Sequence, residues 1–369
     1  MNNQDIQKQH FYWLDAIRFL AAFIVLFSHS RMDYFSVYVE LPTEQHNHLA
    51  FAFYMLGRLG HEAVIIFFVL SGFLVGGRGF ERMRTKSLKV KSYMIDRFSR
   101  IYPPLIMSVF FYYITCLFIP TQNWDWSTAI GNILNLQGVA CKSLVSPYWS
   151  LSYEWWFYLC LAMLAIAYQS QNSKKRLLGL IGFCLTVSVF LVNKMSLHYF
   201  VIWLIGALSY LIRPQEKSKV AFYGSLLGII VGIVLYQLSK DTRSINLPLN
   251  INNPKLVELF LCLMVCVFLQ QVILRKPKTK TAIFIENKLG YMGNFSYSLY
   301  LSHRIWMMWI FYFIYPEKVG QMTLIDFIKY ISLLLICLSG CWLMYLGSER
   351  YTPQIKKVLK RILLKNKLQ

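Results

Sequence analysis

Negatively charged residues are scarce in this sequence. Its 369 residues include 17 Asp and Glu against 38 Lys and Arg, and charged residues make up only 15% of the chain, against about 25% in soluble domains. Hydrophobic residues make up 56%, and the mean hydropathy is +0.44. One core and a polar exterior cannot absorb this much apolar surface, so the composition excludes a soluble enzyme and predicts surface that faces lipid.

Several other features are missing. There is no zinc-finger spacing and no RNP-like stretch, so we expect no nucleic-acid partner despite the net charge of +21. No small-residue cleavage site follows the first apolar run, which is therefore predicted to remain as a first membrane span. All eight cysteines except Cys141 lie in apolar runs, and none has a matching His. We therefore expect no disulfide framework, no metal site and no permanently bound cofactor.

What the sequence has instead is a series of long apolar runs. Ten runs, each about 14 to 25 residues long, predict an all-α, polytopic integral membrane protein. They cover residues 11–28, 59–77, 102–119, 148–168, 177–192, 199–212, 220–238, 256–274, 291–315 and 327–347. No soluble domain is evident, so residues 1–348 are predicted to form a single transmembrane domain.

The distribution of Lys and Arg orients these spans. With the N-terminus inside, about 27 of the 38 fall on inner segments, about 8 on outer segments and about 3 within spans. Cytoplasmic loops accumulate Lys and Arg, so both termini are predicted to be cytoplasmic. The excess positive charge then lies on the cytoplasmic face.

The last part of the chain, residues 349–369, is predicted to be a basic amphipathic cytoplasmic tail. Its apolar side chains share one side of a helix: Ile355, Val358, Leu359, Ile362 and Leu363. Such a helix lies on a membrane surface, so we expect it to contact lipids of the inner leaflet.

Few ionisable residues lie within the predicted spans, where a charge costs about 2.5 to 3.5 kcal/mol and needs a partner or a function. Those in or at the ends of the spans that we consider as functional candidates are Asp15, Arg18, His29, Glu154, Glu258, His303 and Arg304. Arg18 and His29 lie about 16 Å apart along one helix and about 20° from the same face. Spacing alone leaves two interpretations open. Either Asp15 pairs with Arg18 and His29 is merely interfacial, or Arg18 and His29 act together.

The stretch that contains these residues, LDAIRFLAAFIVLFSHS, resembles the first helix of membrane-bound acyltransferase family 3. These are integral-membrane O-acyltransferases of surface polysaccharides. Four more stretches resemble family motifs in the same order: FFVLSGFLVGG at 67–77, RFSRIYP at 97–103, PYWSLSYEWWFYL at 147–159 and FSYSLYLSHRIW at 295–306. Two positions depart from the pattern. Trp155 stands where the family often has a second acid, and Ser302 where it often has an aromatic residue.

The resemblance implies a transmembrane acyltransferase domain in a bacterial plasma (inner) membrane. It would transfer an acyl group, most often acetyl, from cytoplasmic acyl-CoA to a hydroxyl of an extracytoplasmic glycan such as O-antigen, capsule or exopolysaccharide. Acetyl-CoA is then a co-substrate. The expected partners are acyl-CoA, a surface or lipid-linked glycan and membrane lipids.

The resemblance also assigns roles to residues. Arg18, Arg97 and Arg100 are predicted to bind acyl-CoA. The family associates its paired-arginine motif, which RFSRIYP at 97–103 resembles, with this donor. His29 is the predicted catalytic residue, because an imidazole can accept a hydroxyl proton near neutral pH. Two further catalytic candidates have alternatives. Glu154 would orient His29, or would only be favourable near a helix N-terminus. His303 would act in catalysis, or would be a packed hydrogen-bond partner.

Two rival interpretations remain at this stage. His10 and Asp15 have the H-x4-D spacing of glycerolipid acyltransferases, although they lie at the membrane entry without a matching soluble fold. A polytopic transporter or flippase of lipid-linked glycans would use the intramembrane charges to line a path, without transferase chemistry. Dependence on acyl-CoA distinguishes an acyltransferase from a flippase.

Overall fold

The structure, a computed structural model, describes residues 12–192, 195–240, 253–275 and 279–364. These residues form helices and no strand. In chain order the helices are α1 (Tyr12–Tyr34), α2 (His48–Leu56), α3 (Gly60–Ser71), α4 (Arg78–Arg84), α5 (Val90–Phe118), α6 (Trp126–Ile133), α7 (Tyr148–Gln169), α8 (Ser173–Val192), α9 (Leu197–Leu211), α10 (Lys219–Lys240), α11 (Pro254–Ile273), α12 (Lys280–Gly293), α13 (Ser296–Phe313), α14 (Leu324–Gly347) and α15 (Thr352–Leu364).

Each of the predicted spans falls on a helix. Within the described residues, 7 helical stretches are long and apolar enough to cross a membrane. They are Trp13–Tyr34, His48–Arg84, Val90–Phe118, Tyr148–Gln169, Lys219–Lys240, Pro254–Ile273 and Leu324–Leu364. The other predicted spans lie on α8, α9 and α13. With 15 residues, α9 is only about 22 Å long, shorter than a hydrocarbon core of about 30 Å. The prediction of an all-α, polytopic membrane protein is confirmed, and the number of crossings stays a prediction.

Contacts between helices join ends that the charge pattern assigns to the same side. Arg213, just after α9, forms an ion pair with Glu81 of α4 at 3.1 Å, and both lie at predicted cytoplasmic ends. Arg304 of α13 forms an ion pair with Asp33 of α1, and both lie toward predicted extracytoplasmic ends. Below, inner and outer refer to these two predicted sides.

A π-helical turn, Gly72–Gly77, joins α3 to α4. It packs against α9 almost backbone to backbone. A Cβ atom at Gly72 would lie 2.1 Å from the carbonyl oxygen of Trp203, and one at Gly206 would lie 2.7 Å from that of Val69. Only glycine permits this approach. Turns of this type are frequent at functional sites, and residues of this turn line the inner cavity described below.

The ninth predicted span, 291–315, starts too early. One helix ends at Gly293 and the next begins at Ser296. The carboxylate of Glu349 accepts hydrogen bonds from the Ser298 main-chain N–H at 2.9 Å and from its hydroxyl at 2.8 Å. This carboxylate satisfies donors that the first turn of α13 leaves unpaired, so the chain can begin a new helix there.

The predicted helix in the C-terminal tail is present as α15. It packs along α5, where Lys356 and Lys360 lie 3.1 and 2.9 Å from the carboxylate of Asp96. On another side of the helix, Val358 and Ile362 are 54% and 62% exposed. The protein leaves these apolar side chains uncovered, as expected for a helix on a lipid surface. The division of the chain into domain and tail stays a prediction.

Candidate active site

An internal cavity of about 740 Å³ lies among α1, α3, α5, α7 and α13. We call it the inner cavity. Much of its wall is apolar, but charged and phenolic side chains converge on it from distant parts of the chain: Arg18, Arg97, Arg100, Glu154, Tyr158 and Tyr297. The structure therefore brings together four of the six predicted site residues. An apolar cavity with a few convergent polar groups is typical of a ligand-binding site.

The arginines of the inner cavity differ in their contacts. Arg18 donates a hydrogen bond to Asp15 at 2.7 Å, the contact that one of the two interpretations of this helix expected. The pairing does not remove Arg18 from the cavity wall. The Arg97 guanidinium lies over the Tyr158 ring, 5.5 Å from its centre. Its buried Nε has no hydrogen-bond partner among the described residues, so it is a donor available to a ligand.

Glu154 lies in the inner cavity and does not contact His29. It accepts a hydrogen bond from the Tyr158 hydroxyl and interacts electrostatically with Arg100. The two side chains point in different directions, since Glu154 lines the inner cavity while His29 contacts His303. The predicted contact between Glu154 and His29 is therefore wrong, while a role of Glu154 in catalysis stays a prediction.

A second cavity, of about 1010 Å³, continues from the inner cavity toward the inner side. We call it the basic mouth. Leu74, Val75 and Arg97 line both spaces, so the two are adjacent. Basic side chains in the mouth come from the charge-rich inner loop: Arg78, Arg82 and Lys89. The mouth thus presents positive charge where the inner cavity opens.

A third cavity, of about 870 Å³, lies at the opposite end of α1 and α13 and is called the outer cavity. The Asp33–Arg304 ion pair forms part of its wall, together with Gln122 and the aromatic rings of Tyr312 and Tyr315. Asp33 was not identified from the sequence. Its position four residues after His29 places it on the same helical face, which was the available signal.

Two predicted site residues, His29 and His303, contact each other directly. Their Nδ1 and Nε2 atoms are 2.9 Å apart, although 274 positions separate them in the sequence. The rings are stacked, with centroids 5.2 Å apart and planes inclined by 12°. His303 is completely buried, and its Nδ1 lies 3.0 Å from the carbonyl oxygen of Leu299. The two imidazoles therefore form one unit.

This imidazole pair lies between the inner and outer cavities. Along α1, Arg18 lines the inner cavity, His29 follows about 16 Å further on, and Asp33 lines the outer cavity. Along α13, Tyr300 lines the inner cavity and Arg304 the outer one. Both helices thus have the same order, with the imidazoles in the layer that separates the two spaces.

Tyr300 forms the end of the inner cavity nearest the imidazole pair. Its hydroxyl lies 2.6 Å from the hydroxyl of Ser150, and its ring centroid lies 6.1 Å from that of His303. Ser150 belongs to the stretch PYWSLSYEWWFYL at 147–159, which resembles the Trp-Ser-Leu motif of the family. This motif therefore meets the imidazole pair through Tyr300, a residue that sequence analysis did not assign to the site.

A second histidine cluster lies near the outer side, on helices α3, α9 and α11. The Glu258 carboxylate bridges two imidazoles, at 2.8 Å from His61 Nε2 and 2.6 Å from His198 Nε2. The Tyr236 ring stacks on His61 at 5.3 Å. Glu258 was singled out from the sequence, but its two partners were not. Among the described residues, no group of three His, Cys, Asp or Glu side chains could hold a metal ion.

A family model described as an acyltransferase domain, of acyltransferase family 3, matches residues 11–346. The chain belongs to this family. No curated protein and no solved structure matches the chain. The match spans all five resembling stretches and all six predicted site residues, so the chain is a membrane acyltransferase and its three cavities belong to an acyltransferase fold.

Proposed function

We propose that this acyltransferase transfers an acyl group, most commonly acetyl, from cytoplasmic acyl-CoA to a hydroxyl group of an extracytoplasmic glycan. One observation carries the proposal. The basic mouth, the inner cavity, the imidazole pair and the outer cavity follow one another in this order. A donor and an acceptor that enter from opposite sides would meet at His29.

Acyl-CoA suits the inner side in charge and in shape. Its phosphate groups would bind the basic side chains of the mouth through charge-assisted hydrogen bonds. The thin, uncharged pantetheine arm would extend past Leu74 and Val75, which line both spaces. Arg97 lies at the junction, while Arg18 and Arg100 supply further positive charge deeper in the inner cavity. The basic mouth and the inner cavity together would thus bind the whole length of acyl-CoA as the co-substrate.

The transfer step uses His29 as a general base. His29 accepts the proton of the acceptor hydroxyl while that oxygen forms a bond to the acyl carbon. The carbon–sulfur bond breaks, and the coenzyme A thiolate takes up the proton from His29, so that an ester and a thiol leave. We propose that the Tyr300 hydroxyl, at the end of the inner cavity, exchanges its hydrogen bond with Ser150 for one that it donates to the thioester oxygen.

The outer cavity suits a carbohydrate acceptor. Sugar rings pack their apolar faces on aromatic side chains, and Tyr312 is 43% exposed in this cavity. Gln122 and the Asp33–Arg304 pair offer donors and acceptors for sugar hydroxyls. We therefore propose O-antigen, capsule or exopolysaccharide as the acceptor class, at the outer face of a bacterial inner membrane.

The test is the O-acetyl content of surface polysaccharide in a deletion strain. The strain would carry the wild-type gene, His29→Ala, Arg18→Ala or, as a control, His48→Ala, all at equal membrane levels. His48 is an exposed histidine at the start of α2. We expect the wild type and the control to restore acetylation and the other two variants to fail. Full acetylation with both the His29→Ala and the Arg18→Ala variants would contradict the proposal. Normal acetylation together with impaired glycan export in the deletion strain would favour a flippase.

A further inference from the structure

The imidazole pair is part of a hydrogen-bond chain that ends on the main chain. His303 Nδ1 lies 3.0 Å from the Leu299 carbonyl oxygen, and His303 Nε2 lies 2.9 Å from His29 Nδ1. A carbonyl oxygen can only accept a hydrogen bond. The proton of this contact is therefore on His303 Nδ1, and the tautomer of the buried imidazole follows from its partner.

The surroundings of His303 favour a neutral ring. The side chain is completely buried, and no carboxylate contacts it among the described residues. The nearby carboxylate of Asp33 is instead paired with Arg304, whose positive charge opposes a second cation beside it. A neutral imidazole protonated on Nδ1 carries a lone pair on Nε2. His303 Nε2 therefore accepts, and His29 Nδ1 must donate.

We propose that His303 is a positioning residue that holds His29 in the tautomer protonated on Nδ1, so that His29 Nε2 is the atom that accepts the acceptor's proton. Neutral histidine in water favours the opposite tautomer, with its proton on Nε2, and that form would leave no lone pair there. The inference rests on the proposed function for its chemical consequence. The tautomer itself follows from the hydrogen-bond chain and the neutral state of His303.

The chain also assists the charged intermediate. When His29 accepts a proton at Nε2, it becomes an imidazolium whose Nδ1–H still points at His303. That hydrogen bond then has a charged donor, which strengthens it. His303 thereby takes the place that a carboxylate has in many hydrolases, without adding a negative charge to the buried layer. Glu154, the carboxylate expected from the sequence to orient His29, remains in the inner cavity.

Two substitutions separate positioning from packing. In His303→Gln the side-chain amide oxygen reaches approximately the position of Nε2 and can accept from His29. In His303→Asn the amide matches the position of Nδ1 and is too short to reach His29. With equal membrane levels and equal thermal stability, we expect His303→Asn to lower kcat on the order of 100-fold. We expect His303→Gln to retain at least ten times the kcat of His303→Asn, and acyl-CoA KM to change little in either.

The tautomer can be read directly by 15N NMR of histidine-labelled protein in lipid at pH 8, without substrates. The chain has 7 histidines, so a His29→Asn sample identifies the His29 signals by subtraction. We expect a protonated Nδ1 and an unprotonated Nε2 at His29, and the reverse in His303→Asn. A wild-type His29 protonated on Nε2, or equal kcat in the Gln and Asn variants, would overturn the inference. Normal acetylation by His29→Ala would overturn the proposed role of His29 as general base and leave the tautomer result standing.

Discussion

The two histidine clusters of this protein differ in what lies between the imidazoles. In the cluster of His61, Glu258 and His198, one carboxylate bridges both rings. In the pair of His29 and His303, the rings contact each other. A carboxylate that accepts from two imidazoles occupies the donors of both and ties three helices together. The direct pair lies in the layer between the inner and outer cavities, so the first cluster is suited to holding helices and the second to moving a proton.

The surroundings of the two histidine clusters also differ. His29 is partly exposed and lies between the inner and outer cavities. Glu258 is 5% exposed and is covered by the two imidazoles and by the helices that carry them. Four helices contribute to the Glu258 cluster when Tyr236 of α10 is included. Substitutions in the two clusters should therefore change different quantities, activity in one and stability in the other.

The largest expected effect is on activity. His29→Ala removes the proposed general base and should lower acyl-CoA-dependent transfer by on the order of 100-fold to 10,000-fold in isolated membranes. His61→Ala, assayed at equal protein level, should retain transfer within about threefold, because His61 lies outside the route from donor to acceptor. A comparable loss of transfer in both variants would break the distinction between the clusters.

The second effect is on stability. Glu258→Ala leaves two partly buried imidazoles without their shared partner and should lower the free energy of unfolding by about 2 kcal/mol. Thermal unfolding in detergent measures the change. Glu258→Gln keeps the size and part of the hydrogen bonding, so its unfolding midpoint should lie between those of the wild type and Glu258→Ala. An unchanged midpoint in Glu258→Ala would show that the cluster does not hold the helices.

A smaller effect should appear in donor binding. Arg97→Ala removes a guanidinium from the junction of the basic mouth and the inner cavity and should raise the KM for acetyl-CoA about tenfold, with a smaller change in kcat. Lys357→Ala is the matched control, since it removes the same charge from an exposed position in α15. An equal rise of the KM in both variants would show that Arg97 acts only through general electrostatic attraction.

The smallest effect should come from an ion pair outside both clusters. Lys356 and Lys360 contact Asp96 at 41% and 33% exposure, where solvent and salt screen the attraction. Replacing both lysines by alanine should lower the free energy of unfolding by no more than about 1 kcal/mol. Thermal unfolding at low and high salt measures this. A loss as large as that of Glu258→Ala would contradict the assignment of stability to the buried carboxylate.

Much of the fold and part of the site could be predicted from the sequence. Apolar runs located the helices because a span must be long and apolar. The Asp15–Arg18 pair could be foreseen from the sequence because the side chains of residues three apart meet on one helix. The motif residues Arg18, Arg97 and Arg100 were predicted to act together, and all line the inner cavity.

The remaining contacts depend on how separate helices pack, which local spacing does not determine. His29 meets a residue 274 positions away, and Glu258 meets two histidines from other helices. Glu154 was placed near His29 because both were assigned to outer ends. The start of the helix at Tyr148 was predicted correctly, but the packing of α7 against its neighbours directs the Glu154 side chain into the inner cavity beside Arg18.

The most direct test of transfer across the imidazole layer uses sealed membrane vesicles of known orientation that contain the native glycan. Labelled acetyl-CoA is supplied to the cytoplasmic face in one set and to the opposite face in the other. We expect label in the glycan only when wild-type vesicles receive acetyl-CoA on the cytoplasmic face, and none with His29→Ala. Equal labelling from either face, or labelling by His29→Ala, would contradict transfer from an inner donor site to an outer acceptor through His29.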